Sequence, residues 1–587
     1  MGGEGRGWEG MGGDFKWAAK LVNAVVNRAR SLSDYNNHIE KIHKFRKQVI
    51  LADESLTDDE KSYAINEILD ICFDDEKILY NSGTIRICEN CQKECLATLY
   101  CEYCVRDYLI AKFSNWTSKN VDIDNLIQSC QMETSIPHRI VEWIPYNSLQ
   151  NVKYLTEGGC SKIYTADWIN GPYHKWDNKE QQLKRYGMLE VILKKLENVE
   201  SASRNWFDEC KYHLNINNRW GNLVKCHGLT RDQPDGNYML VMMKMGIDLR
   251  KYLQQNHYKL TWKEKAGIMC DIISSLYSIH KENTIHRDLH SGNILTIQPE
   301  NTFHVGDLGF CGPANKPENS IYGNLPYIAP EIICGKESTF ASDIYSIAML
   351  MWEVSSGQPP FINFEHDCDL ALKIINGMRP KVMPGTPLRY KKLMEQCWNA
   401  NPAERPDIWY LKDEIAEIRK LHYQNENNEQ QIDDICATNN YTDSGSINSL
   451  VRKVSKFHIF ENLHEPKNAT EEEQEAYHSM QQNLSIPSKI EDIISEQTEH
   501  QIEPNNSTAI NKEVKGKSKR NNFNDDDKDD VNHNIKSKKI KLSNNKEFQY
   551  IQKRYIANDD VEEDEITNNA NLHSEDQENL EIPEGDY

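Results

Sequence analysis

From Leu155 to about Asp248 the sequence runs in short β-rich segments around one glycine turn, and from there to about Leu421 it is mostly helical. Strands first and helices afterwards suit an α+β domain of two lobes. At 587 residues the chain exceeds one ordinary core, so further units and flexible segments are expected around that domain. Its 38% hydrophobic content and net charge of -22 fit a globular domain diluted by polar sequence. The acidic balance gives little non-specific attraction for nucleic acid.

No run of about 18 apolar residues occurs, so no membrane span is expected. Residues Met1 to Arg6 lack the apolar core of a secretory signal, and Arg6 stands where a myristoylation pattern needs Ser or Thr. Sixteen cysteines without such a signal imply reduced thiols in a cytoplasmic or nuclear setting.

The flanks divide by composition. Residues 1–35 read as a weakly ordered leader. Within it, Phe15 to Arg30 is basic, with Trp17, Leu21, Val22 and Val25 on one side of a possible helix. Packing on its own protein is favoured for that helix over a membrane surface. Residues 36–80 read as helical, with a Thr57–Glu60 capping box inside the stretch ahead of Ala64, Ile65, Ile68, Leu69 and Cys72 on one face. A Cys-rich module (81–110) and a connector (111–147) follow. The domain proper occupies 148–422, and 423–587 reads as a disordered tail rich in Asn, Gln, Glu, Asp, Ser and Lys. Two basic clusters in that tail, Lys512 to Arg520 and Lys536 to Lys541, flank the acidic run Asp525 to Asp530. Solvated alternating charge is the plain reading and a nuclear-import signal the alternative.

Cys88-Glu89-Asn90-Cys91 and Cys101-Glu102-Tyr103-Cys104 enclose nine residues. Two such turns supply four thiolates, the number a closed tetrahedral Zn²⁺ site takes, with Cys95 left over. Unmetallated buried or redox-active thiols are the alternative. A closed site has no open position for substrate, so it would stabilise a small fold or contact a partner.

The most informative stretch is His286-Arg287-Asp288-Leu289-His290-Ser291-Gly292-Asn293. Asp307-Leu308-Gly309 begins twenty-one residues after His286, and Ala329-Pro330-Glu331 comes later. In content and order this resembles the motif set of eukaryotic protein kinases, over nearly all of 148–420. The resemblance implies a bilobal fold, with an antiparallel sheet plus helix in the first lobe and a mainly helical second lobe. It implies ATP and Mg²⁺, and protein substrates.

Phosphoryl transfer needs its nucleophile held in line and its spread charge neutralised. Asp288 would take the substrate hydroxyl's proton, Asn293 and Asp307 would offer Mg²⁺ hard oxygens, and Arg287 would meet the activation segment. Val191-Ile192-Leu193-Lys194 resembles the third-strand motif, making Lys194 the phosphate-binding lysine. Lys195, one residue out of phase, should point to the other sheet face. Glu209 is the candidate partner of Lys194, with the adjacent Asp208 as its rival.

The phosphates would lie under the turn of Gly158, Gly159 and Ser161. Leu155, Ile163, Ile192 and Leu295 would enclose the adenine, with Met242 behind it and Met243 to Met245 as the hinge. By the same resemblance Asp343 braces the catalytic loop and Arg405 pairs with Glu331. Ser320 and Tyr322 could accept a phosphate that pairs with Arg287.

The pattern departs from the family at several points. Thr156 stands at the first glycine of the loop and Ser161 at the third. Ile192 replaces a small alanine, Leu308 a phenylalanine, and His290 a lysine common in Ser/Thr kinases. Asn324 replaces the threonine usual after Gly323. Trp352-Glu353, Gly357-Gln358-Pro359-Pro360-Phe361 and Cys397-Trp398 resemble the tyrosine-kinase-like group, which favours Ser or Thr hydroxyls. The block from Ile87 to Tyr146 resembles the preface of tyrosine-kinase-like kinases expanded in arbuscular mycorrhizal fungi. The alternative function is a pseudokinase scaffold that binds nucleotide or partners, the module and tail doing the recruiting.

Overall fold

The computed structural model describes residues 13–158, 161–196, 206–233, 235–297, 301–312, 321–425, 456–458 and 463–482. All of these belong to the unit Met1–Ile494. None of the described helices is long and apolar enough to cross a membrane.

The N-terminal part is helical from further upstream than its glycines suggest. Helix α1 (Gly13–Ser31) buries Val22, Val25, Val26 and Ala29 against α2 (Ile39–Leu51) and against α3 (Asp58–Tyr63) with the π-helical turn Ala64–Leu69 that follows it. Within the leader expected to be weakly ordered, residues 13–31 thus form a packed helix, because their valines recur at helical spacing on one side. Thr57 and Glu60 form the expected capping box, each side chain serving the other residue's backbone N–H. Helix α4 (Asp70–Tyr80) leads to the Cys-rich module, which consists of β1 (Arg86–Ile87), β2 (Glu94–Cys95) and α5 (Glu102–Ile110).

The connector is structured too. It carries α6 (Val121–Glu133), N-capped by the Asn120 side chain, and β3 (Glu142–Trp143). The first lobe is a six-stranded sheet in the order β3-β9-β10-β8-β5-β4, from β4 (Leu149–Gly158), β5 (Ser161–Trp168), β8 (Leu189–Lys195), β9 (Cys226–Arg231) and β10 (Tyr238–Met243). The hairpin of β6 (Tyr173–Asp177) and β7 (Gln182–Arg185) leaves it to pack Trp176 and Leu183 against the Cys-rich module. Helix α7 (Trp206–Arg219) lies across one face of the sheet.

The second lobe holds α8 (Leu249–Asn256), α9 (Trp262–Lys281), the hairpin β11 (Ile294–Ile297) and β12 (Thr302–Val305), and β13 (Ile321–Gly323). After these come α10 (Pro330–Ile333), α11 (Phe340–Ser356), α12 (Cys368–Ile375), α13 (Leu388–Cys397) and α14 (Ile408–Asn425). Its core is centred on α9 and α11, the latter buried almost throughout from Ser342 to Ser355. Within the stretch expected to be a disordered tail, β14 (Lys456–His458) pairs with β13, and α15 (Glu471–Gln482) packs on the second lobe. Gly159, Ser320 and the tail's basic clusters lie outside the described residues.

Candidate functional site

Sheet register decides which side chains can share a face. Ile163 pairs directly with Lys194, Thr165 with Ile192, and Met242 with Ile192, so Ile163, Ile192, Lys194 and Met242 stand on one face. That face meets α7 through Cys210 and Leu214. Lys195, one residue on, lies on the opposite face and pairs with Asp235 and Asp232, as expected from its phase.

On the shared face the Lys194 ammonium lies 2.9 Å from Glu209 Oε1 and 2.6 Å from Asp307 Oδ1. The Lys194 and Glu209 side chains are 8% and 4% exposed, so the charge leaves water only because it is paired. Asp208 instead pairs with Lys211 on the outer side of α7, which settles the choice between the two acids in favour of Glu209.

Glu209 depends on a helix outside the lobe. Ile123, Ile127 and Cys130 of α6 share a core with Cys210 and Leu214 of α7. The Cys130 thiol donates to Asn215 at 3.2 Å, and Asn218 Nδ2 donates to the Cys130 carbonyl at 2.8 Å. Thr134 hydrogen-bonds Asn218 as well. The connector therefore fixes the helix that presents Glu209, a role no motif advertises. The spacing of Ile123, Ile127 and Cys130 was its visible trace in the sequence.

The loop from His286 to Asn293 is held from below. Asp343, buried in α11, accepts from the backbone N–H of His286 at 2.8 Å and of Arg287 at 3.0 Å, and its Oδ2 lies 2.9 Å from His280 Nε2. Burial pushes its carboxyl up, but the hydrogen bonds and charge of His280 and the His286 amide outweigh burial and hold it below its ordinary value. His286 Nδ1 accepts from the Asp288 N–H at 3.3 Å, which assigns the ring proton to Nε2; Nε2 donates to the Gly306 carbonyl at 3.1 Å. Gly306 in turn donates its N–H to the Asn293 carbonyl at 2.8 Å. Asn293 Nδ2 donates to the Asp288 carbonyl at 2.9 Å. Through these links Asp288, Asn293 and Asp307 are gathered at one place, and Lys194 reaches it through Asp307.

Arg287 and Asp307 have left-handed backbones, at φ 69° and 49°. Left-handed geometry is costly for side-chain-bearing residues and collects at functional sites. Asp307 offsets part of that cost by accepting the Gly309 N–H at 3.1 Å. Arg287 donates to the Phe310 carbonyl at 3.3 Å. The side chain of Tyr322 lies outside the described residues.

His290 Nε2 stands 3.7 Å from Asp288 Oδ2, and its Nδ1 accepts the Gly292 N–H at 3.0 Å. A further set absent from the sequence reading ties this loop to α11. Tyr327 donates its hydroxyl to Glu353 at 2.5 Å, and Arg250 donates to Ser291 at 3.2 Å and lies 3.7 Å from Glu353. Burial pushes the Glu353 carboxyl above its ordinary value, against the opposing pull of Arg250.

The expected adenine enclosure is partly assembled. Ile192, Met242, Met245 and Leu295 contribute to one apolar cluster. Met243 ends β10 with its N–H on the Lys225 carbonyl at 2.8 Å. Leu155 does not join them: it is 54% exposed, because a register shift between Tyr154 and Thr156 loops it out of the β4–β5 ladder. Gly158 pairs with Ser161 at the end of that ladder. For Mg²⁺ the donor set fits. Asn293 uses its amide nitrogen on Asp288 and carries an oxygen at the other end, and Asp307 is a carboxylate at the same place.

The four module cysteines come together, their ligand atoms all within 4.8 Å of one another. Cys88 Sγ lies 3.7 Å from Cys104 Sγ, and Cys91 Sγ 3.6 Å from Cys101 Sγ. Tetrahedral bonds of about 2.3 Å place sulfurs about 3.8 Å apart, whereas a disulfide needs about 2.05 Å. The spacing fits a tetrahedral metal site better than a disulfide. Although burial opposes it, hydrogen bonds from the Cys91 and Asn90 amides hold the Cys88 thiol down to about 7.

Residues 149–415 match the family model described as protein tyrosine and serine/threonine kinase. Among curated relatives, "Probable serine/threonine-protein kinase pats1" of Dictyostelium discoideum is 24% identical, over 48% of this chain and 9% of the relative. The "Dual serine/threonine and tyrosine protein kinase" of Danio rerio is 30% identical, over 33% of this chain and 23% of the relative. The "Mitogen-activated protein kinase kinase kinase 7" of Drosophila melanogaster is 27% identical, over 34% of this chain and 30% of the relative. The chain thus spans less than a third of the length of each.

Proposed function

We propose, for a chain whose residues 149–415 form a protein kinase domain, that it transfers the γ-phosphoryl group of ATP to a serine or threonine hydroxyl of a protein substrate. The observation that carries this reading is the double pairing of Lys194 with Glu209 and Asp307, beside a loop that gathers Asp288 and Asn293 at the same place. Asp288 accepts the substrate's hydroxyl proton while that oxygen attacks the γ-phosphorus. The bond from phosphorus to the bridging oxygen breaks, and ADP departs with the electron pair. Lys194, oriented by Glu209, holds the phosphates. Asn293 and Asp307 would hold Mg²⁺, which when bound neutralises charge on the phosphate oxygens.

The test uses the full chain with Mg²⁺-ATP and a generic protein substrate. Lys194→Met is expected to lower the initial rate by about 10²- to 10³-fold, the loss typical of removing one preorganised charge contact. Equal incorporation by both proteins would instead favour the scaffold reading.

The preface and the motif style support a place among the tyrosine-kinase-like kinases of the expanded fungal kind. Reduced cysteines support a cytoplasmic setting, with the basic clusters of the tail pointing to a nuclear one. The module cysteines Cys88, Cys91, Cys101 and Cys104 hold a structural Zn²⁺ in this proposal, which their sulfur spacing supports. Metal analysis of the purified chain is expected to give about one zinc per molecule, and Cys101→Ser far less. A metal-free wild type would remove the site.

A further inference from the structure

A peptide that brings a hydroxyl to Asp288 must pass over the end of β13. There the chain is bare: a Cβ placed on Gly323 would lie 3.4 Å from Asp288 Oδ1. The exposed edge of such a strand is a template for another extended segment. In this structure the edge is taken by the chain itself. Lys456–His458 pairs antiparallel with Ile321–Gly323, with Ile321 opposite His458 and Gly323 opposite Lys456. The His458 ring is buried and donates to the Gly323 carbonyl at 3.2 Å.

Three residue pairs make a weak strand contact, and the stretch just beyond supplies its anchor. Lys467 donates its N–H to the Ile375 carbonyl at 3.0 Å, and Asn468 accepts the Ala400 N–H at 2.8 Å. Gln474 bonds the backbone on both sides of its contact, donating to Gly377 at 2.6 Å and accepting from Arg379 at 3.3 Å. His478 Nε2 lies 3.1 Å from the Arg379 carbonyl. The seat is shaped for this passage: Gly377 has φ +93°, and a Cβ there would stand 2.2 Å from the Ala469 nitrogen. Thr470 and Glu473 form a capping box that starts α15 on this surface.

We infer that the edge Ile321–Gly323 is a strand-addition surface for extended peptides, and that Lys456–His458, anchored by 463–482, is its resident in-chain occupant. The substrate half of this inference rests on the kinase reading above. Only four residues separate His458 from Leu463, so the anchor holds the strand at an effective concentration of order millimolar, and a protein substrate reaches Asp288 only by displacing it.

Two variants of the full chain test this, each checked for an unchanged thermal transition: Gln474→Ala with His478→Ala, which loosens the anchor, and Phe457→Pro, which breaks the strand. Hydrogen exchange over 321–323 is expected to quicken about tenfold in both, and the KM for a generic protein substrate to fall about tenfold. The kcat and the KM for ATP should be unchanged, because occupancy competes with protein substrate alone. Unaltered exchange in both variants overturns the occupancy. Quicker exchange with the same protein KM overturns the claim that substrates use this edge. Quicker exchange in a chain that transfers no phosphate leaves the pairing standing and sinks the kinase reading.

Discussion

Asp288→Asn is expected to slow phosphoryl transfer by about 10²- to 10⁴-fold while leaving the thermal transition of the chain nearly unchanged. The substitution keeps the shape of the side chain and removes its capacity to take a proton. The backbone N–H of residue 288 keeps its bond to His286 Nδ1, and its carbonyl still accepts from Asn293. His290, 3.7 Å from Asp288 Oδ2, loses a carboxylate neighbour and gains a neutral one. Initial rates with a generic protein substrate, measured beside a melting curve, separate the two effects. A variant that melts early owes its lost rate to structure, and one that melts normally and transfers phosphate at the wild-type rate removes Asp288 from the chemistry.

The second large effect is on stability. Arg405→Ala is expected to cost about 3 to 5 kcal/mol in the unfolding of the helical lobe, the range for deleting one partner of a buried ion pair. Arg405 and Glu331 side chains are 0% and 3% exposed and meet through two bonds of 2.7 Å. The guanidinium also donates to the Ala341 carbonyl at 2.9 Å and the Asn399 carbonyl at 2.8 Å. Truncation leaves the Glu331 carboxylate and both carbonyls without these donors in a place water does not reach. Glu331→Gln, which retains an acceptor for the guanidinium, should cost less. Denaturant unfolding of the two variants orders them, and equal midpoints with wild type would show the pair to be dispensable.

Much of this site was legible because phosphoryl transfer dictates residue types at fixed separations. Lys194, Asp288, Asn293 and Asp307 were named from their match to the kinase motif set, and the structure brings them together. Glu209 needed geometry: Asp208 is its neighbour in sequence, and only the facing of α7 places one acid on Lys194 and the other on Lys211. Leu155 stands exposed where β4 and β5 shift register, and alternation along β4 does not reveal such a looped residue.

The parts that stayed hidden are those where unrelated stretches meet. The grip of α6 on α7 depends on a second surface, so the apolar face of a short helix in a connector named no partner. β14 has three residues and pairs through its backbone, which leaves almost no trace in side-chain pattern. The same holds for the seat of Asn468 and Gln474, whose bonds are made to backbone groups of the helical lobe.

The union of α6 with α7 also decides where the molecule can be cut. A fragment begun at residue 149, where the family match starts, would bare the side of α7 that Ile123, Ile127 and Cys130 cover, and leave the Lys194 partner on an unsupported helix. A piece that keeps this seam dry starts upstream of Val121, inside what composition alone marks as a mere tether.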